Sequence, residues 1–215
     1  IPEEEMERAN ELHNELVEKA AENDDSLMEL YFDKGTLSED EMREGLHHSL
    51  ILHDIFPIFC TSATNNMGSG RIMGFIDNVC PSAWEMPPQK TVDGSELKCD
   101  PQGPPCLFVF KTIIEPHIGE LSLFKVYSGT IKEGMELVNE NTQTNEKINQ
   151  LLVLEGHNKI PVKELVAGDI GATIKMRSTH VNNTLHAPGK AIELVPIKFP
   201  EHNMTMAISL TEKGL

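Results

Sequence analysis

Apolar positions follow two regimes along the chain. From Pro2 to about Phe32, Met6, Ala9, Leu16, Ala20, Leu27 and Leu30 recur at near-helical spacings among acidic and polar residues, which predicts helix. Pro2 suits a first helical turn, and the glutamates behind it complement the helix dipole. Asn23-Asp24-Asp25-Ser26 breaks the stretch into two helices, and Gly35 ends the second. Ser38 with Glu41 three residues on predicts a capping box for a third helix reaching about Leu50. His53 to Cys60 reads as a short buried strand with Ile55, Phe56, Ile58 and Phe59 as its core. A polar loop over residues 61–70 then leads into a helix from Arg71 to Val79. Helix, strand, loop, helix is the grammar of an α/β domain with a parallel sheet. One strand makes no sheet, so the rest of such a domain is expected upstream of Ile1.

Prolines at 81, 87, 88, 101, 104 and 105 mark a linker-like stretch, beyond which the period changes to that of strands. Leu107 to Ile114, Leu121 to Ser128, Met135 to Val138, Glu146 to Leu154 and Gly171 to Met176 are apolar or alternating runs. Turn residues at Glu115-Pro116, Ser128-Gly129, Glu133-Gly134 and Gly168-Asp169 separate them. Short strands at about ten-residue spacing predict a barrel or sandwich. Phe110, Leu121, Leu123, Val126, Val138 and Ile174 are the expected interior. After Pro200, Met204, Met206, Ile208 and Leu210 alternate strictly and predict one further strand.

Charge changes the picture for one segment only. The net charge is −16. Residues 1–44 carry 16 acids against 4 bases, and residues 45–215 carry 18 against 14. A field of that sign repels phosphate backbones, so direct nucleic-acid binding by the first third is disfavoured. No apolar run approaches the roughly 20 residues that span a bilayer, and no signal peptide opens the sequence. Opening on Ile1 rather than Met, the sequence reads as a cut from a longer protein. Cys60, Cys80, Cys99 and Cys106 lie far apart with no Cys-x-x-Cys pair, and ordinary buried thiols in a reducing cytosol are the plainer reading over zinc or disulfides.

Several stretches resemble elongation factor G, from about Ala9 to Leu210. Thr61-Ser62-Ala63, followed by Asn66 and Gly68, resembles the fifth GTPase motif. Phe110 to Gly134 resembles the signature of the second domain, ending in Val126-Tyr127-Ser128-Gly129-Thr130. Val166 to Ala172 resembles its later Ala-Gly-Asp-Ile-Gly turn. The resemblance implies an α+β multidomain fragment of a cytoplasmic, ribosome-binding translocase. Residues 1–82 would be the end of a P-loop GTPase domain with helices of its insertion, 83–198 the domain II β-barrel, and 199–215 the first strand of a third domain. The parent protein would use GTP and magnesium. Partners implied are small-subunit rRNA through the barrel and the ribosomal stalk protein through the acidic helices, with Glu18, Glu22, Asp24 and Asp25 as candidate contacts. A plain solvated face explains those acids equally well. The chain alone is expected to be monomeric.

The GTP-hydrolysing motifs are not found in these residues. Gly189-Lys190 lacks the earlier glycine of a phosphate loop and has Ala191 in the magnesium-ligand place. Asn158-Lys159 begins an Asn-Lys-x-Asp motif that Pro161 breaks. Asp100-Pro101-Gln102-Gly103 fits the switch pattern but reads better as a turn. The chain alone is therefore expected to have no catalytic residue and to bind neither GTP nor metal. What remains of a nucleotide site is a guanine-side turn at Ser62, Ala63 and Thr64. Thr64, Asn65 and Met67 replace an apolar residue and two lysines common in the family, a departure that points to a divergent paralogue. His47-His48, His53 and Asp54 read as exposed turn residues rather than metal ligands. Trp84 reads as a plug in the linker. Tetracycline-type ribosomal protection proteins and release factor 3 share the architecture, and a non-enzymatic acidic adaptor fused to a barrel is the rival from another class.

Overall fold

The computed structural model describes residues 1–115 and 119–207. It divides into two compact units, residues 1–88 and residues 89–215. The α+β class expected from the sequence is the class observed.

The first unit is helical. After a short 3-10 turn come α1 (Met6–Ala21), α2 (Asp25–Lys34), α3 (Glu39–Leu52) and α4 (Ser69–Asn78). The boundaries follow the capping chemistry. Asp24 accepts from the N–H groups of Ser26 and Leu27 at 2.9 and 3.1 Å, so the break between α1 and α2 is a cap. Gly35 closes α2 at φ +72°, and the Ser38–Glu41 capping box opens α3. Val17, Ala21, Leu27 and Leu37 pack together, while Ala20 and Leu46 pack with Val79. Leu16, expected on the inner stripe, is instead exposed. The crossing of α1 and α3 is close: a Cβ at Gly45 would lie 2.0 Å from the Ala20 carbonyl oxygen.

The strand expected at His53 to Cys60 is not formed. Residues 54–60 have no regular structure, and Phe56 and Ile58 are 81% and 92% exposed. An apolar extended segment becomes a strand only when neighbours accept its ladder bonds, and among the described residues none does. His47 and His48 are also not turn residues. They lie on α3 and are half-buried, with His47 Nδ1 2.9 Å from the Val79 carbonyl and His48 Nδ1 3.3 Å from Asp24.

The second unit is antiparallel β. A small hairpin, β1 (Gln89–Lys90) and β2 (Glu96–Leu97), leads into β3 (Cys106–Glu115) and β4 (Gly119–Ser128). Then follow β5 (Thr130–Lys132), β6 (Glu136–Asn139), β7 (Thr144–Lys147), β8 (Leu151–Glu155), β9 (Asn158–Val162), β10 (Glu164–Val166), β11 (Ile170–Ile174) and β12 (Thr184–His186). Eight strands pair in the order β7-β6-β12-β3-β4-β11-β8-β9, and β10 pairs with β5. The run 146–154, read as one strand, is two: Ile148 leaves β7 and donates its N–H to the Met135 carbonyl.

One core shows how the sheet curls. Leu107, Val109, Phe124, Val126, Ile131, Leu137, Leu151, Leu165 and Leu185 come from β3, β4, β5, β6, β8, β10 and β12 and converge with Ile148 in one cluster. That is barrel-like packing. Of the interior residues expected from the sequence, Val126 alone belongs to this cluster. Leu121, Leu123 and Ile174 pack in a separate cluster with Leu152 and Ala172, and Phe110 packs with Cys106 and Phe108. In β4 and β6 the inner positions are Phe124 and Leu137, one residue from Leu123 and Val138. A register slip of one residue exchanges the two faces of a strand, and alternation between two apolar faces cannot fix which is inward.

Cys106 is fully buried and burial pushes its thiol pKa up to about 12, but Cys60 is exposed and the other two are half-buried. Met204 and Met206, expected in a final strand, lie outside regular structure and are exposed, while Ile208 and Leu210 lie outside the described residues. Pro116 of the Glu115-Pro116 turn lies outside them too.

Candidate functional site

The sequence motifs of the second unit meet in one place. The turn after β4 is tight because Gly129 adopts φ +70°, and a Cβ there would lie 2.6 Å from Pro105 Cα. The turn between β10 and β11 has Gly168 at φ +101°. Asp169 holds this turn by accepting the Val166 N–H on Oδ2 at 2.8 Å. Gly168 donates to the Val126 carbonyl at 2.8 Å, Val126 to the Asp169 carbonyl at 2.9 Å, and Ala167 to the Gly129 carbonyl at 2.9 Å. The Val-Tyr-Ser-Gly-Thr and Ala-Gly-Asp-Ile-Gly runs are therefore two halves of one hydrogen-bonded corner. The Asp100–Gly103 segment packs there as a turn: Asp100 Oδ1 accepts from Gln102 N–H at 2.9 Å, and Gly129 donates to the Asp100 carbonyl at 2.8 Å.

Beside that corner lies a groove of about 360 Å³, lined by Phe108, Phe110, Lys125, Tyr127, Ile170 and Ile197 among others. Lys125 Nζ sits 5.3 Å from the Tyr127 ring centroid, and Phe108 meets the same ring edge-on. Burial raises the Tyr127 pKa, with the neighbouring Cys106 adding to the shift.

In the first unit, Ser62, Ala63 and Thr64 form one side of an exposed tight loop. Ser62 and Met67 exchange backbone hydrogen bonds at 3.0 and 2.9 Å, and Asn66 at φ +51° turns the chain. Asn65 Nδ2 donates to Ser62 Oγ at 3.1 Å, and Ser69 Oγ to Asn66 Oδ1 at 2.6 Å. Gly68 at φ +85° then opens α4, where a Cβ would lie 2.9 Å from a Thr61 methyl. The N–H groups of Ala63 and Thr64 meet no acceptor among the described residues. Such a turn can donate to a carbonyl oxygen, and nothing in it can transfer a proton or a phosphoryl group.

The acidic candidates are unequal. Glu18, Glu22 and Asp25 are exposed, and Glu22 pairs with Lys19 at 2.5 Å. Asp24 is half-buried and engaged as the α2 cap, which lowers its pKa chiefly through the Leu27 N–H. Trp84, expected to plug the linker, is 61% exposed. Among the described residues no group of three or more His, Cys, Asp or Glu converges as metal ligands, and no helix is long and apolar enough to cross a membrane.

One residue escaped the sequence reading. Glu146 on β7 is buried, and its carboxylate accepts from the N–H of Arg177 at 3.1 Å, the N–H of Ser178 at 2.6 Å and Thr179 Oγ1 at 3.1 Å. Its signal was an acid in register with an inward position, between Asn145 and Lys147.

Residues 104–188 match the family described as Elongation factor G domain 2. A crystal structure of a protein from Thermus thermophilus superposes with a TM-score of 0.73 at 24% identity, over 94% of this chain and 29% of that one. The chain thus spans under a third of the length of that structure. The matched segment opens just before β3, closes just after β12 and contains the whole corner built by Val126, Gly129, Gly168 and Asp169. Residues 104–188 form a domain of the elongation factor G domain 2 type.

Proposed function

We propose that the chain is a ribosome-contacting part of a translational GTPase of the elongation factor G type. In this reading residues 1–82 end the GTPase domain, 83–198 are the domain II barrel, and 199–215 begin a third domain. The observation that carries it is the corner joining Val126–Thr130 to Val166–Gly171, inside the segment that matches the family. The parent binds and hydrolyses GTP with magnesium in the cytoplasm and drives translocation. This part supplies no catalytic group. It supplies the Ser62-Ala63-Thr64 turn, whose unengaged N–H groups suit a guanine oxygen, and a barrel that rests on the small ribosomal subunit. Among the described residues Glu18 and Asp25 make no ion pair, and with Glu22, whose only ion pair there is the exposed one to Lys19, they are the acids that would meet a basic partner such as the stalk protein.

Co-sedimentation of the chain with purified small ribosomal subunits tests this. Binding that full-length elongation factor G displaces supports it, and no binding at low salt contradicts it. Calorimetry with GTP tests the division of labour: the chain alone binds more weakly than about 10 μM, near 7 kcal/mol.

A further inference from the structure

The second unit carries a cluster of cations that the corner and its groove do not use. A polar pocket of about 220 Å³ is lined by Asn145, Glu146, Lys147, Asn149, Lys175 and Arg177. Lys147, Lys175 and Arg177 are exposed, and none has an ion-pair partner among the described residues. Glu136 lies opposite Lys147 in the β6–β7 register yet makes no ion pair with it.

The cations are held there by the backbone. Lys175 adopts φ +62°, a left-handed conformation uncommon for a lysine. That turn ends β11 and brings Arg177 back beside β7. Glu146 then fixes residues 177–179 through the three donors already described, using the Arg177 backbone and leaving its guanidinium free. The carboxylate is the one negative group of the pocket, and those donors face it. Two lysines, a guanidinium and two side-chain amides therefore surround one small concave space. Arg suits bidentate contact with phosphate oxygens, and Lys adds point charge.

We propose that Lys147, Lys175 and Arg177 form a site for phosphate oxygens, as presented by an RNA backbone or by free phosphate. The RNA source rests on the ribosome-binding reading, whereas the phosphate chemistry does not.

The test uses the whole 215-residue chain and the variant K147Q/K175Q/R177Q. These side chains are exposed and the Glu146 contacts use backbone, so the variant keeps its fold. Amide and Arg177 side-chain NMR resonances are followed during titration with inorganic phosphate and with a short oligouridylate. Saturable shifts at residues 175–177 with both ligands, lost in the variant, support an RNA-backbone site. Shifts with phosphate alone support the site with free phosphate as its source. With RNA, the slope of log affinity against log salt becomes shallower by about 2 in the variant, from about 0.7 per phosphate contact on a single strand. No shift at 175–177 with either ligand overturns the proposal, as does an unchanged salt slope. Co-sedimentation of the same proteins with small subunits separates the two readings. If the NMR shifts occur without subunit binding, the ribosomal reading falls and the phosphate site stands. If subunits bind but neither ligand shifts these resonances, the reverse holds.

Discussion

Gly168 donates its N–H to the Val126 carbonyl across 2.8 Å, tying the β10–β11 turn to the end of β4. Two glycine-containing turns some forty residues apart in sequence thereby become one corner, and the corner depends on close backbone approach at Gly129.

Gly129→Ala is expected to destabilise the second unit by about 2–5 kcal/mol, combining left-handed strain of roughly 1–2 with overpacking of roughly 1–3 against Pro105. Gly134 is the control. It has φ +81° but open space around its Cβ position, so Gly134→Ala bears only the strain term. Denaturant unfolding read by amide exchange in β4 compares the two. Equal losses would show that the close contact with Pro105 is not limiting.

Glu146→Gln is expected to cost about 1–3 kcal/mol, because one carboxylate oxygen becomes a donor facing donors. Faster amide exchange at Arg177 and Ser178 checks this, and unchanged exchange there would refute it.

Asp93 gives a pH signature. The Thr91 hydroxyl and then the Ser95 N–H lower its pKa from 3.8 to about 2. A carboxylate whose folded pKa is depressed contributes stability that is fully present above 3.8 and is lost as pH falls through about 2. Asp93→Asn is therefore expected to remove a difference present at neutral pH and absent in strong acid. A carboxyl carbon NMR titration with a midpoint near 3.8 would contradict this.

The acidic helices separate structural from free charge. Reversing Glu18, Glu22 and Asp25 to lysine is expected to leave the helical content unchanged, whereas Asp24→Lys lowers it through loss of the α2 cap. Circular dichroism of the two variants decides. In the full-length factor, the triple reversal slows stalk-dependent recruitment at low salt, and added salt shrinks the effect. The same rate for triple variant and wild type leaves only a solvated face.

Local chemistry explains which parts of this fold were legible. Asp24, Gly35, Ser38 and Glu41 fix helix ends through bonds within a few residues, and all three of those boundaries are where the sequence predicts them. The β4 and β11 runs were legible because both turns carry glycines at positive φ. The three-residue strands β5, β10 and β12 were missed because three residues carry too little alternation to register. On β4 Val126 was placed inward correctly, but Leu121 and Leu123 there and Val138 on β6 were read as inward because both faces of each strand carry apolar residues. Phe56 and Ile58 misled for another reason: β-propensity describes a surface that needs partners. The cation pocket left no signature, since Lys147 and Lys175 come together only through β7, β11 and the Glu146 contacts.

Amide hydrogen exchange of the chain, with and without small ribosomal subunits, tests the central claim most directly. The ribosome-contacting barrel predicts added protection on the surface of residues 104–188, around the pocket of Lys147, Lys175 and Arg177. Protection confined to residues 1–88, or none anywhere at low salt, would contradict it.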